Sequence, residues 1–138
     1  MTYGVFNTIS DEEIIWLLSR IGKSLRTQWR LVIDLLNKSR VLKTSNWQSV
    51  NLSERVKWFH ALRQRFVSKS WDIEETKFLI STWSYEEEYI YKQRLFDLEE
   101  MIGFLKETGY NVVWKFGDFN WWIWSLDSSR MVLVAQKV

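Results

Sequence analysis

One histidine, five glycines and no cysteine leave little chemistry for this 138-residue chain to carry. His60 and Arg63 are spaced to share a helical face, which would suit proton transfer. The carboxylate needed to complete such a site is not named by the surrounding residues, so no catalytic residue is assigned and the chain reads as a non-enzyme. Glu86, Glu87 and Glu88 are consecutive; on a helix they point in different directions and cannot form the clustered set that a metal requires. The scattered glycines match no phosphate-cradling turn. The reading therefore assigns no metal and no cofactor. Without cysteine there is neither a disulfide nor a thiolate nucleophile.

Charge is the stronger signal. The net charge is +2, but it is distributed in blocks. Residues 1–13 carry −3, residues 14–70 carry +10, residues 71–107 carry −6 and residues 108–138 carry +1. Such blocks answer a partner or each other. Arg20, Lys23, Arg26 and Arg30 recur at helical spacing and form one basic stripe. Lys57, Arg65 and Lys69 add a second ridge. Clustered cations of this kind suit a phosphate backbone, so these seven residues are the candidate nucleic-acid contacts. The alternative is that the basic block docks on the acidic block of the same chain.

Aromatic content gives the rival signal. There are ten tryptophans, three of them within Trp121–Trp124, and tryptophan and tyrosine are enriched at interface hot spots. Trp121 and Ile123 are expected on one face of a strand, with Trp122 and Trp124 on the opposite, core-facing side. Tyr85, Tyr89 and Phe96 are expected as an aromatic stripe on a helix. These five residues, Trp121, Ile123, Tyr85, Tyr89 and Phe96, are the candidate protein-partner contacts. Glu87 and Arg94 intrude into the apolar arc of that helix and either find partners, Glu87 with Arg63 being one pairing within reach, or extend to water at the edge of the arc.

The elements that must position these residues follow from periodicity. Ser10 to Glu13 forms a capping box. Leu18, Ile21, Leu25, Trp29, Val32 and Leu36 then keep a 3–4 spacing, predicting one helix from about Asp11 to Asn37. On that reading Gly22 is a helix interior, and Gly22→Ala is neutral or stabilising. Residues 38–52 read as a loop. A second helix is expected from Asn51 or Ser53 to about Ser68. Two further capping boxes, at Asp72–Glu75 and Ser84–Glu87, predict helices to about Trp83 and Thr108. Gly109 ends the last of these. Beyond it the period changes to that of strands at 112–116, 121–126 and 131–137, joined by short turns.

The expectation is a single α+β domain over 1–138, about 10–108 helical and 110–138 a β-meander. Three or four helices are followed by a C-terminal three-stranded antiparallel sheet packed on them. The N-terminus has no leader-like pattern, and no apolar run reaches a membrane span, which reads as cytoplasmic with no membrane partner. The function expected is a non-catalytic regulatory or accessory protein that recognises nucleic acid or a nucleoprotein complex through its basic helical face. The alternative is a protein–protein inhibitor, immunity-type protein or complex subunit that uses the aromatic surface. A homo-oligomer is compatible with either.

Overall fold

The computed structural model describes residues 5–44, 50–51, 59–68 and 72–138. It divides into two compact units: Met1–Val41 with Leu95–Val138, and Leu42–Arg94.

The first unit opens with a 3-10 turn, Val5–Thr8, and helix α1, Asp11–Ser24. The Ser10 capping box is formed in both directions. The helix does not continue to residue 37. It ends at Leu25, whose N–H still donates to the Ile21 carbonyl. Gln28 then adopts φ 70°, and the chain re-enters as strand β1, Arg30–Leu36. The segment Leu31-Val32-Ile33-Asp34-Leu35-Leu36 is a short, mostly apolar run. Such a run fits a buried strand as well as a helix, and spacing alone cannot separate them. Helix α2, Lys38–Thr44, follows at once.

After the second unit, helix α3, Leu98–Glu107, leads through Gly109 (φ 85°) into strands β6, Tyr110–Phe116, and β7, Arg130–Lys137. The sheet order is β1-β7-β6, and β7 is antiparallel to both neighbours. β1 and β6 are therefore parallel to each other, and the hairpin return β7 lies between them. This is the pattern of an open α/β sheet, not of a meander. Residues 121–126 contribute no strand, only an isolated bridge between Phe116 and Ile123. Ile14 and Leu18 of α1 and Met101 and Leu105 of α3 pack on one sheet face, against Ile33, Leu35, Met131 and Leu133. Each such fully buried aliphatic contributes about 1.5–3 kcal/mol. Asp34 and Arg130 tie β1 to β7 at the carboxyl end of β1, with Arg130 Nε donating to Oδ1 at 2.8 Å and Nη2 to Oδ2.

The second unit is a four-stranded antiparallel sheet. Its strands are β2, Val50–Asn51; β3, Phe59–Val67; β4, Ile73–Thr82; and β5, Glu86–Arg94, in that order. Two of the expected helices are thus strands, and of the third, expected over 84–108, the first part is β5 and only Leu98–Glu107 is helical. The Asp72 and Ser84 boxes are turn chemistry: Asp72 accepts from the Ser68 hydroxyl at 3.3 Å, and Thr82 Oγ1 accepts from the N–H groups of Ser84 and Tyr85. Within this sheet Arg65 of the basic block meets the acidic block, whose own lysines also pair with its carboxylates. Arg65 pairs with the fully buried Glu74, which also accepts from Gln93; Lys77 meets Glu88 at 2.6 Å and Lys92 meets Glu75 at 3.1 Å.

Gly22 is buried because Tyr110 lies against it. A Cβ there would sit 3.1 Å from the Tyr110 hydroxyl, which donates to the Leu18 carbonyl. Burial also holds the Tyr110 phenol above its ordinary pKa. The expected benefit of Gly22→Ala is therefore reversed. Overpacking costs about 1–3 kcal/mol, more than the ~1 kcal/mol of helix propensity gained. Denaturant titration should show Gly22→Ala destabilising by about 1 kcal/mol. In a Tyr110→Phe background, where the nearest ring atom is 3.7 Å away, the same change should stabilise instead; equal effects in both backgrounds would exclude this contact as the cause.

In the second unit, Glu74→Ala strands the Arg65 charge and should cost about 3 kcal/mol, whereas joint replacement of Arg65 and Glu74 by leucine should recover most of it. A double-mutant cycle by urea unfolding reads this directly, and additive losses would mean that the pair is not coupled.

Candidate functional site

Ligands of open α/β sheets bind outside the carboxyl ends of the parallel strands. At the carboxyl end of β1 the first unit holds a cavity of about 500 Å³. Its floor is Asn37, Lys38 and Ser39, where β1 passes into α2. One wall is the start of α3, with Phe96, Asp97 and Glu99. The other is the β6–β7 loop, with Trp124 and Leu126.

Asn37 organises this edge. It is 2% exposed, and its Nδ2 donates to the carbonyls of Ser125 at 3.1 Å, Leu126 at 3.3 Å and Ser128 at 2.8 Å. The loop is further strapped by Gly117 N–H to the Trp122 carbonyl, by Trp124 N–H to the Lys115 carbonyl, and by the Ser128 hydroxyl accepting from Ser125 N–H. This frame presents the Trp124 ring to the core cluster. The Trp124 indole Nε1 is buried without a hydrogen-bond partner among the described residues, on a residue that also lines the cavity. Asp97 occupies the N-cap position of α3 but makes no side-chain cap; it pairs with Lys38 at 3.0 Å instead. With that pair neutral, Glu99 leaves the lining net negative. It combines apolar and aromatic walls with a few convergent polar groups, as small-molecule sites do.

A shallower groove of about 350 Å³ lies on the sheet face away from the helices, lined by Arg30, Val32, Trp114, Phe116, Trp121 and Val134. Arg30 stacks on Trp114 at 4.3 Å from the ring centroid. Trp121 takes φ 64° and meets Phe116 edge-on, with centroids 5.0 Å apart.

The predicted nucleic-acid residues do not share one helix. Arg20 and Lys23 lie on α1, Arg26 in the turn after it and Arg30 at the start of β1. Three of these cations lie over indole rings, Arg20 on Trp16, Arg26 on Trp29 and Arg30 on Trp114. Arg65 turns to Glu74, and Lys57 and Lys69 lie outside the described residues. Of the predicted partner contacts, Trp121 and Ile123 are exposed in the β6–β7 loop. Tyr85 and Tyr89 are exposed in the second unit, in the β4–β5 turn and on β5. Phe96 is buried at the cavity, so no aromatic stripe joins it to the two tyrosines. Glu87 lies on β5 beside Tyr89, and its hydrogen bond, the largest cause, holds that phenol above its ordinary pKa. Trp122, expected in the core, is 72% exposed. Asn37, Lys38, Asp97 and Glu99 were not singled out from the sequence, because the helical reading of 11–37 and 84–108 hid the strand end and helix start that bring them together.

No family model matches the sequence, and neither does any curated protein sequence. Solved structures do match. An S-adenosylmethionine-dependent methyltransferase from Clostridium acetobutylicum superposes with a TM-score of 0.82 at 9% identity, over 98% of this chain and 55% of that one. The CcbJ methyltransferase from Streptomyces caelestis gives 0.77 at 13% identity, over 99% and 56%. An amino pentose methyltransferase from Micromonospora echinaspora gives 0.64 at 12%, over 99% and 56%. The chain thus spans about half the length of the structures it matches. At these identities the likeness establishes the fold, which is Rossmann-like α/β. It overturns the expected α+β meander. The structures that match are methyltransferases, which runs against the expected non-catalytic nucleic-acid-binding, inhibitor and accessory-subunit readings. No helix among the described residues is long and apolar enough to cross a membrane.

Asn37→Ala should release the β6–β7 loop. Leaving buried groups unsatisfied costs about 1–3 kcal/mol, and hydrogen exchange at Ser125–Arg130 should accelerate ahead of global unfolding. Unchanged exchange there would mean that Asn37 does not anchor the loop.

Proposed function

We propose that this chain forms the acceptor-side half of an S-adenosylmethionine-dependent methyltransferase, with the cavity at the carboxyl edge of β1 taking the methyl acceptor. The single observation that supports this most is the β1-β7-β6 order, with the cavity outside the carboxyl end of β1, in a chain that superposes along nearly its whole length on such enzymes. The lining suits a small acceptor bearing amine or hydroxyl groups. Glu99 and Asp97 can accept hydrogen bonds from it, Trp124 can stack on it or donate to it, and the net negative lining disfavours an anionic acceptor. Matched structures include an amino pentose methyltransferase and a sugar N-methyltransferase, which makes amine-bearing sugars the first acceptors to try. The cytoplasmic placement is kept as part of this proposal.

S-adenosylmethionine itself does not fit the residues present. An adenosyl cofactor in an open α/β sheet needs a glycine-rich strand-to-helix turn for close backbone approach, and a carboxylate further on for the ribose hydroxyls. Among the described residues, Gly22 and Gly103 lie inside helices, Gly109 ends α3, and Gly117 follows β6 with the Ser128 side chain where a Cβ would stand; Gly4 lies outside them. The α3 N-terminus carries Glu99 and Glu100 in its first turn, which repel a cofactor carboxylate.

The test is transfer of radiolabelled methyl groups from S-adenosylmethionine to amine-bearing sugars by the native polypeptide or assembly that contains these residues. Transfer is expected. Glu99→Gln should raise the acceptor KM about tenfold, the worth of one hydrogen bond to a charged group, with stability unchanged. Absence of transfer to any amine or hydroxyl acceptor, or a Glu99→Gln enzyme with unaltered KM, would count against the proposal.

A further inference from the structure

Strand β5 is the exposed edge of the second unit's sheet, and its charges are ordered as a palindrome. Acidic residues at 86 and 88 are mirrored about Ile90 by basic residues at 94 and 92, and Tyr89 is mirrored by Tyr91. We infer that β5 is a homodimerisation edge. Two copies of this chain pair antiparallel through it, about a two-fold axis at Ile90, and join their second-unit sheets into one continuous sheet. This inference is independent of the function proposed above.

Among the described residues β5 pairs only with β4, and without a bulge. Residues 86–92 are exposed, Ile90 at 54%. The Thr82 N–H donates to the Tyr85 carbonyl at 2.8 Å, and ladder groups alternate along an antiparallel strand. Odd-numbered residues of β5 therefore turn their N–H and C=O groups to β4. Glu86, Glu88, Ile90, Lys92 and Arg94 turn theirs to the open edge. A two-fold axis at Ile90 sets these same five residues opposite one another, so the outward-pointing groups of one copy meet those of the other. On one face Glu88 then lies across from Lys92 of the second copy, and Glu86 across from Arg94. On the other face Tyr89 lies across from Tyr91, in the closer, non-hydrogen-bonded position. Each pair occurs twice by symmetry, which is the self-complementarity that a two-fold interface requires. Within each copy Lys77 meets Glu88 and Lys92 meets Glu75, so the junction links these pairs into one alternating row of charges. Charged residues on an edge ordinarily discourage pairing; here their order selects one register. A slip of two residues either way leaves Ile90 facing a charge, and parallel pairing sets like charges side by side.

Sedimentation equilibrium of the protein tests this through charge reversals. The unaltered chain should form a dimer. Glu88→Lys alone sets a lysine opposite Lys92 twice, and Lys92→Glu alone sets a glutamate opposite Glu88 twice. Each should raise the dimer Kd at least about tenfold. An equimolar mixture of the two variants restores both opposite-charge pairs and should dimerise as the unaltered chain does. The chain carrying both reversals should do the same. Each reversal also breaks a pair within its own copy, and recovery on mixing separates a lost interface from a damaged monomer. A crosslink keeps the test open should a variant fail to fold. The chain has no cysteine, and Ile90 is the position of β5 that faces its own copy. Ile90→Cys should oxidise to a disulfide-linked dimer. Glu87→Cys, about 20 Å from its counterpart along the paired strands, should not. A monomeric unaltered chain, a dimer that survives both single reversals, a mixture of folded variants that stays monomeric, or equal crosslinking at 87 and 90 would each overturn the inference.

Discussion

Five consecutive residues, Met131 to Ala135, are buried on both faces of β7, and the first unit is arranged to satisfy them. A strand apolar on both sides needs a neighbour on each edge and cover on each face. β1 and β6 supply the edges. Helices α1 and α3 supply one face through Leu18, Met101 and Leu105. The other face is covered by Phe116, Trp114 and the strapped β6–β7 loop, and more thinly toward β1. The cavity follows from the same constraint. To reach the centre of the sheet, the chain must return from β6 through a long loop at the carboxyl edge, and Asn37 at the end of β1 fixes that loop with one side-chain amide.

The elements legible in the sequence were those whose local chemistry and periodicity agreed. Ser10 caps a real helix because the residues after Glu13 keep a helical period through Ser24. Residues 112–116 and 131–137 were recognisable as strands because β-branched residues crowd there. Two identical-looking capping boxes misled, at Asp72 and Ser84, since Ser, Thr and Asp bond to nearby backbone in turns as readily as at helix starts. β4 carries polar residues inside, Glu74 and Thr76, and β5 is largely exposed, so neither shows the two-residue alternation by which an amphipathic strand is read. At 30–36 an apolar strand happened to continue the phase of the preceding helix. That coincidence created the apparent basic stripe of Arg20, Lys23, Arg26 and Arg30. The candidate site was hidden for the same reason: its residues come from a strand end and a helix start that were both assigned to helix interiors. The sense that an aromatic sheet had a second face needing cover was physically sound, but it was attached to residues 121–126 when it belongs to β7.

The charge blocks take on a different meaning in this fold. Part of the basic segment is consumed inside the second unit, where Arg65 meets Glu74 on the neighbouring strand. Three other arginines cover the faces of exposed indoles, an arrangement in which the guanidinium remains hydrated while the ring loses some contact with water.

The measurement that bears most directly on this account is the strand register of the first unit, read by nuclear Overhauser contacts across the sheet. The account predicts cross-strand contacts from Val32 to Val134 and from Trp114 to Val134, placing β7 between β1 and β6. A continuous ladder between residues 121–126 and 131–137, with residues 30–36 helical and making no contact to Val134, would contradict it and restore the meander.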